Sequence, residues 1–171
     1  MNATAEMIMP LENKPIKRSR HLAILSHEHH EILLFVWKIR QGIIYNVPAA
    51  TIGKYCGWFW DSMLKEHFEK EETVFPSLFA EDDTLFNTVK EDHEAIAKKI
   101  QQVSDEPSYF EIQRLAQIIY YHVRFEERAW FAHVEHLLNE SQLSEIGLAL
   151  ATHKTTNRDV RWNNEFWKKS A

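Results

Sequence analysis

Apolar residues recur at intervals of three and four through most of the chain, and this spacing predicts amphipathic α-helices. Breaks at Asn46-Val47-Pro48 and Asp105-Glu106-Pro107, with Pro76 between them, divide the pattern into long segments. The predicted helices are His21–Tyr45, Ala49–Phe79, Asp83–Val103 and Ser108–Leu138. Because short connections make neighbouring helices antiparallel, the expected fold is an all-α, up-down-up-down four-helix bundle.

Cap residues and changes in composition predict where the helices start and how the chain divides into an arm, a bundle and a tail. Asp82 or Asp83 is suited to cap the third helix, and Ser108 with Glu111 reads as a capping box for the fourth. Ser141 is the expected cap of a short fifth helix that ends at Leu150. We expect an irregular arm over residues 1–19, the bundle with this short helix over residues 20–152, and a C-terminal tail over residues 153–171.

The aromatic residues of the tail predict a packing role, and the composition of the chain argues against several classes of protein. The tail carries Trp162, Phe166 and Trp167, which predicts that it packs on the bundle or joins a homodimer. Only 4 Gly argue against a glycine-rich nucleotide loop, and a net charge of −5 argues against nucleic-acid binding. The single Cys56 excludes an intrachain disulfide framework. We find no secretory signal and no segment that would span a membrane, so a cytoplasmic location is expected.

The chain has 10 His, and helical wheels turn one histidine of each long helix toward the core. Two of these histidines are followed four residues later by a glutamate on the same face. The inward-facing set is His29, His67, Glu71, His93, His122 and Glu126. At about 1.5 Å per residue, the four histidines fall within roughly 3–6 Å of a common height.

One inward histidine is usually a hydrogen-bonded core residue, but two buried carboxylates need a partner or a metal. Six nitrogen and oxygen ligands, two of them able to bridge, suit a pair of iron ions better than one zinc ion. We expect His133 to lie at the bundle end and His30 at the margin of the apolar face. Glu66, Glu69 and Glu72 are expected to form a solvated face, and Trp60 with Leu64 could wall a dry pocket.

Four segments resemble the hemerythrin-like, HHE cation-binding domain family over roughly residues 20–140. They are Leu25-Ser26-His27-Glu28-His29-His30, His67-Phe68-Glu69-Lys70-Glu71-Glu72, Glu91-Asp92-His93-Glu94 and His122-Val123-Arg124-Phe125-Glu126-Glu127. The resemblance implies a four-helix bundle with a non-haem di-iron centre, bridged by carboxylates and by an oxo or hydroxo oxygen derived from solvent. It also implies that the six inward-facing residues are the metal ligands.

The chain departs from the oxygen-storage members of that family at two positions. Ala97 stands where those proteins have a second histidine in the third helix, and Glu126 follows His122 by four residues rather than five. Glu127 has the five-residue spacing but is expected to point well off the inward face. The pattern is closer to bacterial iron–sulfur repair and iron-sensing relatives. None of the four histidines follows a glutamate by three residues, so the Glu-x-x-His mark of ferritin-like proteins is absent from the sequence at these positions.

The sequence therefore predicts a non-haem di-iron protein that binds O2, NO or peroxide, or that senses iron or redox state. One alternative is a di-iron enzyme that repairs iron–sulfur clusters or reduces NO or peroxide. The other is a metal-free helical interaction module. The pattern favours a metal- and ligand-binding protein over a dedicated enzyme, with no separate catalytic residues and with no nucleic acid or membrane as partner.

Overall fold

The computed structural model describes residues 17–79, 82–153 and 161–169, and helices make up most of them. The α-helices are α1 (Ala23–Ile44), α2 (Ala49–Phe59), α3 (Lys65–Val74), α4 (Thr84–Asp105), α5 (Tyr109–Phe125), α6 (Phe131–Leu137) and α7 (Glu140–Thr152). No strand occurs in these described ranges, and the all-α prediction is confirmed. The predicted residues 1–16 of the arm lie outside the described residues.

Two π-helical segments interrupt the long helices that the sequence predicts as uniform. Trp60–Leu64 joins α2 to α3, and Glu126–Trp130 joins α5 to α6. In each case a backbone N–H bonds the carbonyl five residues back, from Lys65 to Trp60 and from Phe131 to Glu126. Single-turn π segments insert an extra residue into a helix and are frequent at functional sites. The second and fourth bundle helices are therefore α2–α3 and α5–α6.

The four bundle helices pack as a square in which α1 contacts α2 and α5, and α4 contacts the same two helices. The start of α1 and the end of α3 share one core cluster, so these neighbours run antiparallel as predicted. Helix α7 packs against α3 at that end of the bundle. None of the helices described is long and apolar enough to cross a membrane.

A layer of buried histidine and glutamate divides the core into two apolar clusters. Along α1, Leu25 belongs to one cluster and Ile32 to the other, with His29 between them. Along α4, Val89 and Ile96 flank His93 in the same way. Because every bundle helix crosses this layer, the packing of the two clusters holds the polar layer in place from both sides.

Three caps define helix starts, and one of them differs from the sequence prediction. The Asp83 carboxylate accepts from the Phe86 N–H, and the Ser108 hydroxyl accepts from the Glu111 N–H, as predicted. The capping box predicted for Ser108 and Glu111 is only half formed, because the Glu111 carboxylate accepts from Lys99. The predicted cap Ser141 is wrong, because Asn139 caps α7. The side chains of Asn139 and Gln142 each accept from the other residue's backbone N–H. A helix that begins at Glu140 therefore satisfies two backbone donors at its first turn.

The described part of the tail, residues 161–169, packs on the bundle. Phe166 and Trp167 are each 8% exposed and belong to the larger core cluster. The Phe166 ring lies so close to Gly42 that a Cβ atom added to this glycine would be 2.8 Å from the ring. The tail therefore contributes to the core, as the first of the two sequence alternatives predicts.

Removing these two aromatic side chains is expected to destabilise the protein. The double variant Phe166→Ala/Trp167→Ala should lose about 3–6 kcal/mol of unfolding free energy, since burying each large apolar side chain is worth about 1.5–3 kcal/mol. Denaturant unfolding of the chelated protein measures this loss. The matched control is Trp37→Ala/Phe110→Ala, which removes an exposed tryptophan and an exposed phenylalanine. Equal stability of the two double variants would contradict a docked tail.

Candidate metal centre

The six residues predicted to face inward all lie in the buried polar layer, and each is at most 3% exposed. Helix α1 places His29, α3 places His67 and Glu71, α4 places His93, α5 places His122, and Glu126 begins the second π segment. The i, i+4 pairs in the second and fourth helices stack as the wheels predict. All four bundle helices thus contribute to one site.

The histidines form two pairs, and the glutamates lie between the pairs. The ring centroids of His29 and His67 are 5.0 Å apart, and those of His93 and His122 are 4.8 Å apart. Glu126 Oε2 lies 3.0 Å from His29 Nε2 and 3.2 Å from His122 Nε2. Glu71 Oε2 lies 3.7 Å from His67 Nε2 and 3.3 Å from His93 Nε2. Each carboxylate therefore reaches across both histidine pairs.

Eight buried polar atoms of this layer make no hydrogen bond of normal geometry. They are the Nε2 atoms of His29, His67, His93 and His122 and the carboxylate oxygens of Glu71 and Glu126. Leaving a buried polar atom without a partner costs about 1–3 kcal/mol, and more for a charged group. A metal ion that accepts these lone pairs removes that cost, so the donor set fits a metal centre.

The donor atoms fall into two groups that share Glu126. One group holds His29, His67, Glu71 and Glu126, and the other holds His93, His122 and Glu126, with all donor atoms of a group within 4.8 Å of one another. Imidazole and carboxylate donors without thiolate suit iron, zinc, copper or nickel rather than a soft metal. Two groups with a shared carboxylate can hold two ions.

Each of the four histidines points its Nδ1 atom at a carboxylate from a neighbouring helix. We call these four groups the outer carboxylates. The Nδ1-to-oxygen distances are 2.7 Å for His29–Glu127, 2.8 Å for His67–Glu28, 2.8 Å for His93–Glu72 and 3.3 Å for His122–Asp92. A carboxylate on Nδ1 holds a proton there, so Nε2 is the nitrogen that faces the site and can offer a lone pair to a metal ion.

The outer carboxylates close a ring around the bundle. Each sits next in sequence to a candidate ligand of its own helix, and each orients the histidine of another helix. For example, Glu28 adjoins His29 but bonds His67, and Asp92 adjoins His93 but bonds His122. Because every helix both offers a donor and orients one, no histidine of the centre depends on its own helix alone.

The sequence reasoning missed these four roles. Glu127 does turn away from the metal-facing side, as expected, but it turns toward His29. The solvated face predicted for Glu66, Glu69 and Glu72 is only partly correct, because Glu66 is 7% exposed and Glu72 bonds His93. The available signal is the acidic residue beside each candidate ligand, which the wheel of one helix cannot assign to a neighbouring helix.

Two cations support one side of the ring. Lys70 is 2% exposed and donates to Glu28 Oε1 at 2.6 Å. Arg18 donates to Glu127 Oε2 at 3.0 Å and pairs with Glu135 at 3.1 Å. The outer carboxylates of the other histidine pair are more exposed, at 43% for Glu72 and 40% for Asp92. The His29–His67 side of the centre is therefore more enclosed than the His93–His122 side.

The charges of the layer shift several pKa values in the metal-free protein. Burial raises the pKa of Glu28, but hydrogen bonds from His67 and Lys70 outweigh it and lower this pKa to about 2. Burial lowers the pKa of His29, but the carboxylates of Glu126 and Glu127 outweigh it and raise this pKa to about 10. Burial also lowers the pKa of His93, but the carboxylates of Glu126 and Glu71 outweigh it and raise this pKa to about 11. A metal ion must therefore displace protons as it binds.

Aromatic rings cover the centre, and the remaining histidines lie elsewhere. Phe131 stacks on His29 with centroids 5.3 Å apart, and Phe68 stacks on His93 at 3.8 Å. His133 Nε2 bonds the Asp83 carboxylate at the start of α4, which places it at the bundle end as expected. His30 is exposed.

Replacing an outer carboxylate is expected to weaken metal binding without unfolding the bundle. Glu127→Ala should lower metal affinity about 10–100-fold, because outer partners of ligating histidines contribute by that amount. Glu135→Ala is the matched control, since Glu135 also pairs with Arg18 but contacts no histidine of the centre. Metal titration monitored by competition with a chelator gives both affinities. Equal affinities in the two variants would contradict the orienting role.

Comparison with known protein families identifies the family of this chain. Residues 20–134 match the hemerythrin HHE cation-binding domain model. No curated protein and no solved structure matches the chain. The matched range begins before α1 and ends within α6, so it contains all six buried donors and all four outer carboxylates. The chain belongs to the hemerythrin HHE cation-binding family.

Proposed function

We propose that this protein is a non-haem di-iron protein that binds O2, NO or peroxide, or senses iron or redox state, at its buried histidine and glutamate layer. His29, His67, Glu71, His93, His122 and Glu126 would hold the two ions. The observation that carries the proposal is the set of eight buried, inward-facing donor atoms without hydrogen bonds. The family adds cation binding as its named property.

Bound iron would supply reversible ligation of a small molecule and electron transfer. The chain orients the donors through the outer carboxylates, and Glu71 and Glu126 span the two histidine pairs. Phe131 and Phe68 exclude water from the histidine rings. These contributions do not depend on which small molecule binds.

The site offers few donors beyond the bridging carboxylates, and this favours a reactive centre over a saturated one. Glu71 Oε2 lies 3.3 Å from His93 Nε2 and 3.7 Å from His67 Nε2, so both histidine pairs share Glu71 and Glu126. Ala97 lies one helical turn after His93, and an alanine side chain offers no further donor. A diatomic molecule or peroxide would bind at a coordination position that the protein donors leave open.

Metal analysis tests the proposal directly. Protein purified from iron-replete cells is expected to carry about two irons per chain and to show near-ultraviolet ligand-to-iron charge-transfer absorption. This absorption should change on reduction and on exposure to NO. One zinc ion per chain, or no metal, would refute the di-iron proposal. Multiple turnover of NO or peroxide with an added reductant would instead identify the enzyme alternative.

A further inference from the structure

A cavity of about 520 Å³ lies between α1, α2 and the tail, outside the buried layer of histidine and glutamate. The tail supplies its outer wall through Arg161, Trp162 and Trp167. The first π segment supplies Ser62 and Met63. None of the six candidate ligands lines this cavity, so the proposed function leaves it without a role.

Six of the fourteen side chains that line the cavity are flat aromatic rings. They are Phe35, Tyr55, Trp58, Phe59, Trp162 and Trp167. The Trp162 ring lies 5.2 Å from Tyr55 and 5.7 Å from Trp58, so the tail extends an aromatic wall that begins on α2. Aromatic faces stack with planar rings at such centroid distances, and the volume falls in the range of small-molecule sites.

The polar groups of the cavity carry both signs of charge. Lys38 lies with its Nζ 4.4 Å from the Trp167 ring centroid, and Arg161 is exposed on the tail wall. Three carboxylates also line the cavity, those of Glu28, Glu31 and Glu165. A carbonyl oxygen placed beside Lys38 or Arg161 would accept a hydrogen bond from that cation.

We propose that this cavity binds a planar aromatic ring system that carries carbonyl oxygens, the chemistry shared by quinones and by the isoalloxazine ring of flavins. The rings would stack on the aromatic wall, and a carbonyl would accept from Lys38 or Arg161. The proposal does not rest on the iron assignment, because every side chain it uses lies outside the six candidate ligands.

The cavity adjoins the metal centre through one carboxylate. Glu28 lines the cavity, and its side chain bonds His67 Nδ1 at 2.8 Å and Lys70 Nζ at 2.6 Å. A molecule in the cavity would therefore lie beside a group that orients a candidate ligand. Chelated and metal-loaded protein should both bind it, since the cavity wall contains no metal donor.

Calorimetric titration of the full chain with menadione and, separately, with riboflavin tests the proposal and distinguishes a quinone from a flavin. Saturable one-to-one binding of either probe is expected. Trp162→Ala should weaken it about tenfold, because it removes one stacking face. Ser62→Phe should abolish it by filling the cavity from the π segment, without altering the tail. Trp37→Ala, an exposed tryptophan of α1, is the control and should leave binding unchanged.

Helical circular dichroism of each variant establishes that it is folded before it is titrated. No saturable binding of either probe would overturn the proposal, as would binding that survives both Trp162→Ala and Ser62→Phe. Binding that disappears on chelation would place the probe at the metal centre and would also overturn it. Loss of iron binding with retention of probe binding would contradict the proposed function alone.

Discussion

Glu126→Ala is expected to abolish metal binding while the bundle stays folded. Glu126 is fully buried, and its oxygens lie within 3.0–3.6 Å of the Nε2 atoms of His29, His93 and His122. It is also the residue shared by the two donor groups. Its loss should therefore exceed the about 10–100-fold effect of an outer partner and remove most of the bound metal. Metal content after purification, measured by mass spectrometry, gives the result.

The matched control for this change is Glu94→Ala. Glu94 follows His93 in sequence, is exposed and pairs with Lys98 on the surface of α4. This control should retain full metal content and full helical circular dichroism. His67→Ala, which removes a donor of the other histidine pair, is expected to behave like the Glu126 variant. Full iron occupancy in both His67→Ala and Glu126→Ala would refute the ligand assignment.

Helical periodicity was sufficient to predict the bundle and the inward position of the six donors. Burial of a histidine depends on its position relative to the apolar residues of its own helix, and His29 lies between Leu25 and Ile32 in sequence and in the structure. The prediction that these six are metal ligands is a separate step, which stands as a proposal until metal is measured.

The outer carboxylates could not be predicted in the same way. Glu28 and Glu127 leave the inward face of their own helices and meet histidines of other helices. Their roles depend on how far one helix is rotated against its neighbour, which a wheel does not contain. An unpaired carboxylate in such a position would be costly, but the wheel represents each helix as if it were alone.

The π segments have a similar explanation. Glu126–Trp130 and Trp60–Leu64 contain no proline or glycine, so the usual sequence signals of a helix irregularity are absent from these two stretches. The extra residue changes the rotation of everything that follows in the helix. Leu64 is fully buried, whereas Trp60 at the start of its π segment is only half-buried and contacts Phe68. Tertiary packing selects this shift, and local propensity does not encode it.

Lys70→Met is expected to cost about 3–5 kcal/mol of unfolding free energy, because it removes one partner of the buried Lys70–Glu28 ion pair. Lys70 is 2% exposed, and Glu28 is 5% exposed. The control is Lys65→Met in the same helix, where the lysine is 56% exposed and lies 4.0 Å from Glu69. Surface substitutions of that kind usually change stability by less than about 0.5 kcal/mol. Denaturant unfolding of chelated protein separates this cost from any change in metal affinity.

A second substitution distinguishes loss of the charge pair from a packing defect as the cause of the lost stability. If the cost arises from losing the charge pair, Glu28→Gln added to Lys70→Met should restore most of the lost stability, because the double variant buries neither charge and the amide oxygen can still accept from His67. A packing defect would persist in the double variant, since the volume at residue 70 is unchanged. Stability of Lys70→Met equal to that of Lys65→Met would contradict a buried ion pair. Restoration would show that Lys70 is present to hold the carboxylate that orients His67, which connects the stability of the bundle to the geometry of its centre.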